Sequence, residues 1–268
     1  MKIISYALFG DPNSFEFPFY LRGIYFNARM NKLLYPGWDT WVHTTHTIRS
    51  DYKEFFDGLM DIANVGISLG NEAPKCEAML WRMIPLFTPK AVALPTHVIC
   101  RDADAITTYR EAQAVQEWVN SDLGFHGITD DPAHTIPILG GMCGFKTDVF
   151  HTTFPEYNTF AKLVAGANLK DHGSDQNLLM KKIWPKAQRN MMGHFFQGCK
   201  VDVAKVRNSV SNQIPGVDPK LWESNLTCRM IGSPGVVDFE LLRFFKRFNP
   251  NPAFDEFERK FPQIMYWV

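Results

Sequence analysis

Two aspartates stand one residue apart in Cys100-Arg101-Asp102-Ala103-Asp104-Ala105-Ile106, where an apolar, β-branched run from Ala91 to Cys100 gives out. Residues i and i+2 of an extended chain point the same way, about 6.5–7 Å apart along the backbone, so Asp102 and Asp104 can address one ligand. Carboxylates so placed suit Mg²⁺ or Mn²⁺, which take hard oxygen ligands and commonly combine one or two carboxylates with phosphate oxygens. A cation held there would bridge the protein and a diphosphate. Arg101, beside the pair, can bond a carboxylate or a phosphate, and its charge would keep the aspartates ionised. The same tripeptide also occurs as a solvated loop or a helix cap, so its place in the fold decides between these readings.

The elements that must position it alternate. Ile3 to Phe9 is a short apolar run ended by Gly10-Asp11-Pro12, as expected of a buried strand feeding a loop. A helix-compatible stretch from Tyr20 to Leu34 stops at Pro36-Gly37; Trp38 to Thr44 then alternates like a strand, and Asn64 to Leu69 is a further strand candidate. Cys76, Met79, Leu80, Met83, Ile84 and Phe87 recur at helical spacing after Pro74, with Pro85 expected to kink or end the helix. Ala91 to Cys100 is the strand that delivers the aspartates. Thr108 to Glu111 has capping-box form ahead of a helix with Val115, Trp118 and Val119 on one face. Later come Gly127-Ile128 and Ile136 to Leu139 as strand candidates, a helix from about Asp175 to Ile183, and an amphipathic tail helix through Val237, Leu241, Phe244, Phe245 and Phe248. Strands alternating with helices predict an α/β fold around a mostly parallel sheet, and in such sheets ligands gather outside the carboxyl ends of the strands.

Composition narrows the function. With 28 Lys+Arg against 28 Asp+Glu in 268 residues, no whole-protein field favours nucleic acid or an anionic membrane surface. No apolar stretch reaches the ~20 residues that span a bilayer, and the first residues lack a signal-peptide pattern, so the cytoplasm is the expected location. The five cysteines are scattered without a Cys-x-x-Cys pair, which argues against a disulfide framework and a cysteine zinc site. His43 and His46 would face opposite sides of a strand and so do not read as a zinc pair.

The series Arg101-Asp102-Ala103-Asp104, Arg110-Glu111, Val115-Gln116-Glu117-Trp118, Gly140-Gly141-Met142-Cys143-Gly144 and Asp175-Gln176-Asn177-Leu178-Leu179 resembles a metal-dependent glycosyltransferase of the GT-A fold. The resemblance covers roughly residues 1–200 as a nucleotide-sugar-binding catalytic domain, leaving 201–268 as a C-terminal, helical extension packed on the same body. It implies a GT-A-like (Rossmann-like) mixed, mostly parallel sheet flanked by helices. Asp102 would contact ribose or a metal-bound water, Asp104 would bind the metal, and His194, among aromatic neighbours in sequence, is a candidate third ligand or a hydrogen-bonded core histidine. Tyr6, Ala7 and Leu8, ending the first strand, would meet base and ribose, and Arg82 and Arg101 join the donor-binding set.

The remaining candidates each have a plainer alternative. Gly140 and Gly141 would let backbone approach a sugar closely, or simply form a tight turn before a strand. Asp175 would orient the acceptor hydroxyl or stabilise the sugar, or cap a helix. Asp130, Asp131 and His134 lie in a turn-rich loop before the glycines, as candidate general bases or parts of an Asx-type turn. Together they point to a Mn²⁺- or Mg²⁺-dependent transfer from a nucleotide-diphosphate sugar to a hydroxyl acceptor, whether glycan, lipid-linked or protein. The alternatives are a nucleotidyltransferase on a related fold and a non-catalytic carbohydrate- or partner-binding protein.

Overall fold

Among the described residues eight strands form one sheet: β1 (Lys2–Ala7), β2 (Trp38–Thr45), β3 (Val65–Gly70), β4 (His97–Arg101), β5 (Phe125–Thr129), β6 (Met142–Lys146), β7 (Met191–Phe195) and β8 (Arg207–Asn208), in the order β3-β2-β1-β4-β6-β5-β7-β8. This computed structural model describes residues 1–14, 17–88, 94–129, 136–171, 173–195 and 207–208. Every neighbouring pair is parallel except those made by β6, which runs antiparallel to β4 and β5. The expected GT-A-like architecture, a mixed and mostly parallel sheet flanked by helices, is the one observed. The expected extension and its tail helix lie outside the described residues, apart from β8, which pairs with β7 at one edge.

Both faces of the sheet are covered, which is why the central strands are apolar on both sides. One face buries Ile4, Tyr6, Val42 and Ile99 under α1 (Phe17–Leu34), with α2 (His46–Asp51) and α3 (Lys53–Met60) further along. The other buries Val98, Cys100, Cys143 and Phe145 beneath α4 (Lys75–Met79) and the 3-10 helix that continues it through Phe87. The helix expected from Cys76 to Phe87 therefore tightens at Leu80 instead of continuing as one α-helix. Pro85, which lacks an N–H, lies inside that tighter segment. Gly37 ends α1's exit turn at φ 79°, a left-handed conformation that costs glycine little.

Helix α5 (Tyr109–Asn120) is capped as its sequence predicts, with Thr108 Oγ1 accepting from the Glu111 amide at 3.1 Å. Trp118, fully buried on it, donates through Nε1 to Leu123 O at 3.0 Å. Two expectations need correction. Ile136 to Leu139 is not a strand: Pro137 cannot donate to a ladder, and the strand begins after the glycine pair, as β6. β7, rich in methionine and interrupted by Gly193, was not expected, yet all five of its residues are buried. Helices α6 (Thr147–Thr153), α7 (Phe160–Val164) and α8 (Ser174–Leu178) follow β6, and α8 continues as a π-helical turn to Ile183, close to the expected span. Cys76, Cys100 and Cys143 are buried free thiols.

Candidate active site

Because β6 runs against its neighbours, its first residues lie at the same edge as the last residues of β4. Arg101 pairs with Met142, so Asp102 and Gly141 are the next residues out on adjacent strands. From Arg101 to Ala105 burial alternates: Arg101, Ala103 and Ala105 are buried, whereas Asp102 and Asp104 are half-buried. The two aspartates are thus the more exposed members of a segment that leaves the strand at Asp102 and turns at Ala103 and Asp104. Negative charge accumulates between them: burial and the charge of Asp102 together push the Asp104 carboxyl above the usual range, partly offset by Arg82.

Arg82 supplies the positive charge. It sits on the 3-10 helix, only 4% exposed, and donates through Nη1 to Asp102 Oδ1 and through Nε to Met79 O at 2.6 Å. Burial alone would depress its pKa, but Asp102 holds it above its ordinary value. A Cβ built on Gly140 would lie 3.5 Å from Asp175 Oδ2 and 3.7 Å from Arg82 Nη2, so these groups share one corner with Gly140. The Gly140 amide donates to Gln176 Oε1 at 3.2 Å, tying the glycine pair to α8.

Asp175 is the most unusual group there. It is 1% exposed, and neither carboxylate oxygen has a hydrogen-bond partner among the described residues. Burial raises its pKa, while the nearby Arg82 charge pulls it down. A buried carboxylate in this state is costly until something donates to it.

At the carboxyl ends of β2 and β3 is a recess of about 250 Å³ whose walls include His43, Ser68, Gly70, Glu77 and Trp81 but none of the residues of this corner. Trp81 on its wall and Arg82 on Asp102 are consecutive residues, so one short helix connects the recess to the carboxylates. His43 Nε2 lies 3.0 Å from Ser5 Oγ, and its Nδ1 has no partner among the described residues.

Several expected contacts fall elsewhere. Arg101 does not face the carboxylate corner. It points under the sheet, where Nε meets Glu111 Oε1 at 2.5 Å and Nη1 donates to Cys100 O at 2.8 Å. Burial would lower its pKa, but the Glu111 charge outweighs this. Tyr6 and Leu8 are core residues. The Tyr6 hydroxyl accepts from Asn31 Nδ2 at 3.1 Å, which leaves only half-buried Ala7 and the strand's backbone for a ligand. His194 is on β7 with both ring nitrogens engaged, one 2.9 Å from His126 Nε2 and the other 3.0 Å from Glu117 Oε2. Among the described residues no three His, Cys, Asp or Glu side chains are grouped to hold a metal. Asp130, Asp131 and His134 lie outside the described residues.

Sequence reasoning missed Asn27, Asn31 and Thr107, which lie under the aspartate loop. The available signal was two asparagines four residues apart on an otherwise apolar helix face.

No protein-family model matches the chain, and no curated protein does. Among solved structures it is similar to a mannosyltransferase from Pyrobaculum calidifontis in complex with GDP-Man and Mn²⁺, at TM-score 0.43 and 14% identity over 72% of this chain and 54% of that one. It is also similar to a 4-diphosphocytidyl-2C-methyl-D-erythritol synthase from Anaerococcus prevotii, at TM-score 0.42 and 10% identity over 67% of this chain and 81% of that one. The chain spans about half the length of the mannosyltransferase. No helix among the described residues is long and apolar enough to cross a membrane.

Proposed function

We propose that the chain binds a nucleotide-diphosphate sugar at the carboxyl edge of its sheet and transfers the sugar to a hydroxyl acceptor, with Mn²⁺ or Mg²⁺ bound. One observation carries this reading: a buried guanidinium (Arg82), three carboxylates (Asp102, Asp104, Asp175) and two residues without side chains (Gly140, Gly141) meet at the end of β4. The aspartate couplet fits a hard divalent ion, since two protein carboxylates suffice when phosphate oxygens and water complete the shell. Burial and the Asp102 charge together raise Asp104, and the charge crowding is what a cation would relieve. When bound, such an ion offsets charge developing on the leaving diphosphate.

The chain's own groups then divide the work. Arg82, held between Asp102 and Asp175, is placed to turn its donors to phosphate. Gly140 admits the sugar ring without a side chain in the way, while Gly141 makes room for the Asp102 carboxylate. Asp175 accepts hydrogen bonds from sugar or acceptor hydroxyls, which would satisfy its empty oxygens. The recess walled by His43 and Trp81 takes the nucleoside end. In the reaction the bond from the sugar's anomeric carbon to the diphosphate breaks and one to the acceptor oxygen forms. The acceptor's proton passes to a carboxylate or histidine base, for which Asp130, Asp131 and His134 are the candidates, and the nucleoside diphosphate leaves.

Leu8 to Ser14, following β1, contains no Lys or Arg, which disfavours a triphosphate-gripping nucleotidyltransferase. The test is a thermal-shift screen of nucleoside diphosphates with and without Mn²⁺, followed by product analysis on nucleotide sugars. Metal-dependent stabilisation with release of a nucleoside diphosphate is expected, and Asp104→Ala should abolish both. Pyrophosphate released from a nucleoside triphosphate would instead establish nucleotidyl transfer. Sugar binding that persists without metal or turnover would indicate a binding protein.

A further inference from the structure

The loop that carries Asp104 is gripped from below by α1. Asn27 is completely buried, and its Nδ2 donates to Ala105 O at 2.9 Å and Ala103 O at 3.4 Å, the carbonyls on either side of Asp104. Its Oδ1 accepts from the Thr107 amide at 2.8 Å. One turn further along α1, Asn31 Nδ2 donates to Tyr6 Oη and Thr40 Oγ1, both at 3.1 Å. The single Thr107 hydroxyl proton is shared between the amide oxygens of Asn27, 3.2 Å away, and Asn31, 3.0 Å away.

Two buried amides on a helix face otherwise made of Ile24, Ala28 and similar core residues need a reason, because asparagine is a poorer helix former than alanine or leucine and costly to bury unbonded. Here Asn27 binds backbone groups of the segment that lies between β4 and α5, and Asn31 reaches the same segment through the Thr107 hydroxyl. We infer that Asn27, supported by Asn31 and Thr107, is a positioning residue that fixes the backbone on both sides of Asp104, so that its carboxylate shares a ligand with Asp102. This rests on the reading that the aspartate couplet holds a divalent cation.

The test uses the full chain, with Asn27→Ala and the milder Thr107→Val, and Phe55→Leu as a control for general core damage on α3. Amide hydrogen exchange of residues 103–107 is measured without ligand, and Mn²⁺ alone is titrated by electron paramagnetic resonance. Loss of these hydrogen bonds should speed exchange at 103–107 about tenfold and weaken Mn²⁺ binding by a similar factor in Asn27→Ala, with smaller changes in Thr107→Val. Phe55→Leu, at a comparable loss of Tm, should change neither. Exchange at 103–107 no faster in the two variants than in the control overturns the inference. Wild-type protein that takes up no Mn²⁺ overturns the metal reading instead, and the exchange rates then decide alone whether Asn27 holds the loop.

Discussion

The carboxylate of Asp102 packs directly on Gly141, so that a Cβ at position 141 would overlap its carbon and both oxygens. At Gly140 a Cβ would make only ordinary contacts, the nearest at 3.5 Å. Adjacent glycines therefore differ sharply in tolerance. Gly141→Ala must displace Asp102 from Arg82 and should cost about 1–3 kcal/mol by overpacking, with loss of the Mn²⁺-dependent thermal shift from nucleoside diphosphates. Gly140→Ala should keep near-wild-type Tm. Equal behaviour of the two variants would contradict the packing described.

Asp175→Asn should raise stability at neutral pH while removing the proposed sugar transfer. The carboxyl's folded pKa lies above its ordinary value, so the folded state holds the proton more tightly than the unfolded one. Its favourable contribution is present below the unfolded pKa and is lost as pH rises through the folded value. The neutral amide escapes that loss, and each kcal/mol recovered is worth about 2–4 °C in Tm for a chain of this size class. The gain should vanish near pH 3, where the wild-type carboxyl is itself neutral. Differential scanning calorimetry at the two pH values checks it, and a Tm that falls at neutral pH would show that Asp175 is already well satisfied.

Glu111 and Arg101 form a buried pair, their side chains 3% and 2% exposed, and Tyr35 donates to the same Glu111 oxygen at 3.1 Å. Removing one partner strands the other, which typically costs about 3–5 kcal/mol. Glu111→Ala should therefore be severely destabilised in urea titration, whereas Arg101→Met with Glu111→Leu should recover much of the loss. A single variant as stable as wild type would refute the pairing.

Stability should fall on acidification, and His43 accounts for part of that fall. Burial pushes its imidazole down from 6.5 to about 3. The unfolded chain thus takes up the proton first; the histidine's contribution is intact above pH 6.5 and is lost as pH falls toward 3. At pH 5 this one residue costs roughly 2 kcal/mol. His43→Gln should lose about that much less between pH 7 and 5 in urea unfolding, and an unaltered pH dependence would exclude the assignment. His126, depressed by burial and by His194, acts in the same direction.

What could be read from the chain was local. Apolar runs ending in turn residues marked β1 to β4, the Thr108 cap marked α5, and the Asp102–Asp104 spacing at a strand's end marked the carboxylate edge. What escaped depends on contacts distant in sequence. Arg101 is two residues from Ala103 and adjacent to Asp102, yet its partner is on α5, and nothing in the motif tells which face an arginine takes. His194 offers the same lesson, since a ligand-like histidine is occupied by His126 and Glu117 from other elements. The Ile136–Leu139 run outranked Met142–Lys146 by hydrophobicity, although Pro137 removes a ladder donor and β6 gains its place by pairing on both sides.

That reversed strand also governs when the site comes into being during synthesis. Among the described residues the sheet made by β1 to β4 joins the rest only through β6, so a nascent chain that has reached Thr108 should display its acidic couplet on an open strand edge. Until Met142–Lys146 emerges and docks, Asp102 has no glycine beside it and β4 keeps an unpaired ladder, the kind of edge at which incomplete chains stick to one another. The ribosome thus delivers the site's acidic wall well before the strand that shields it.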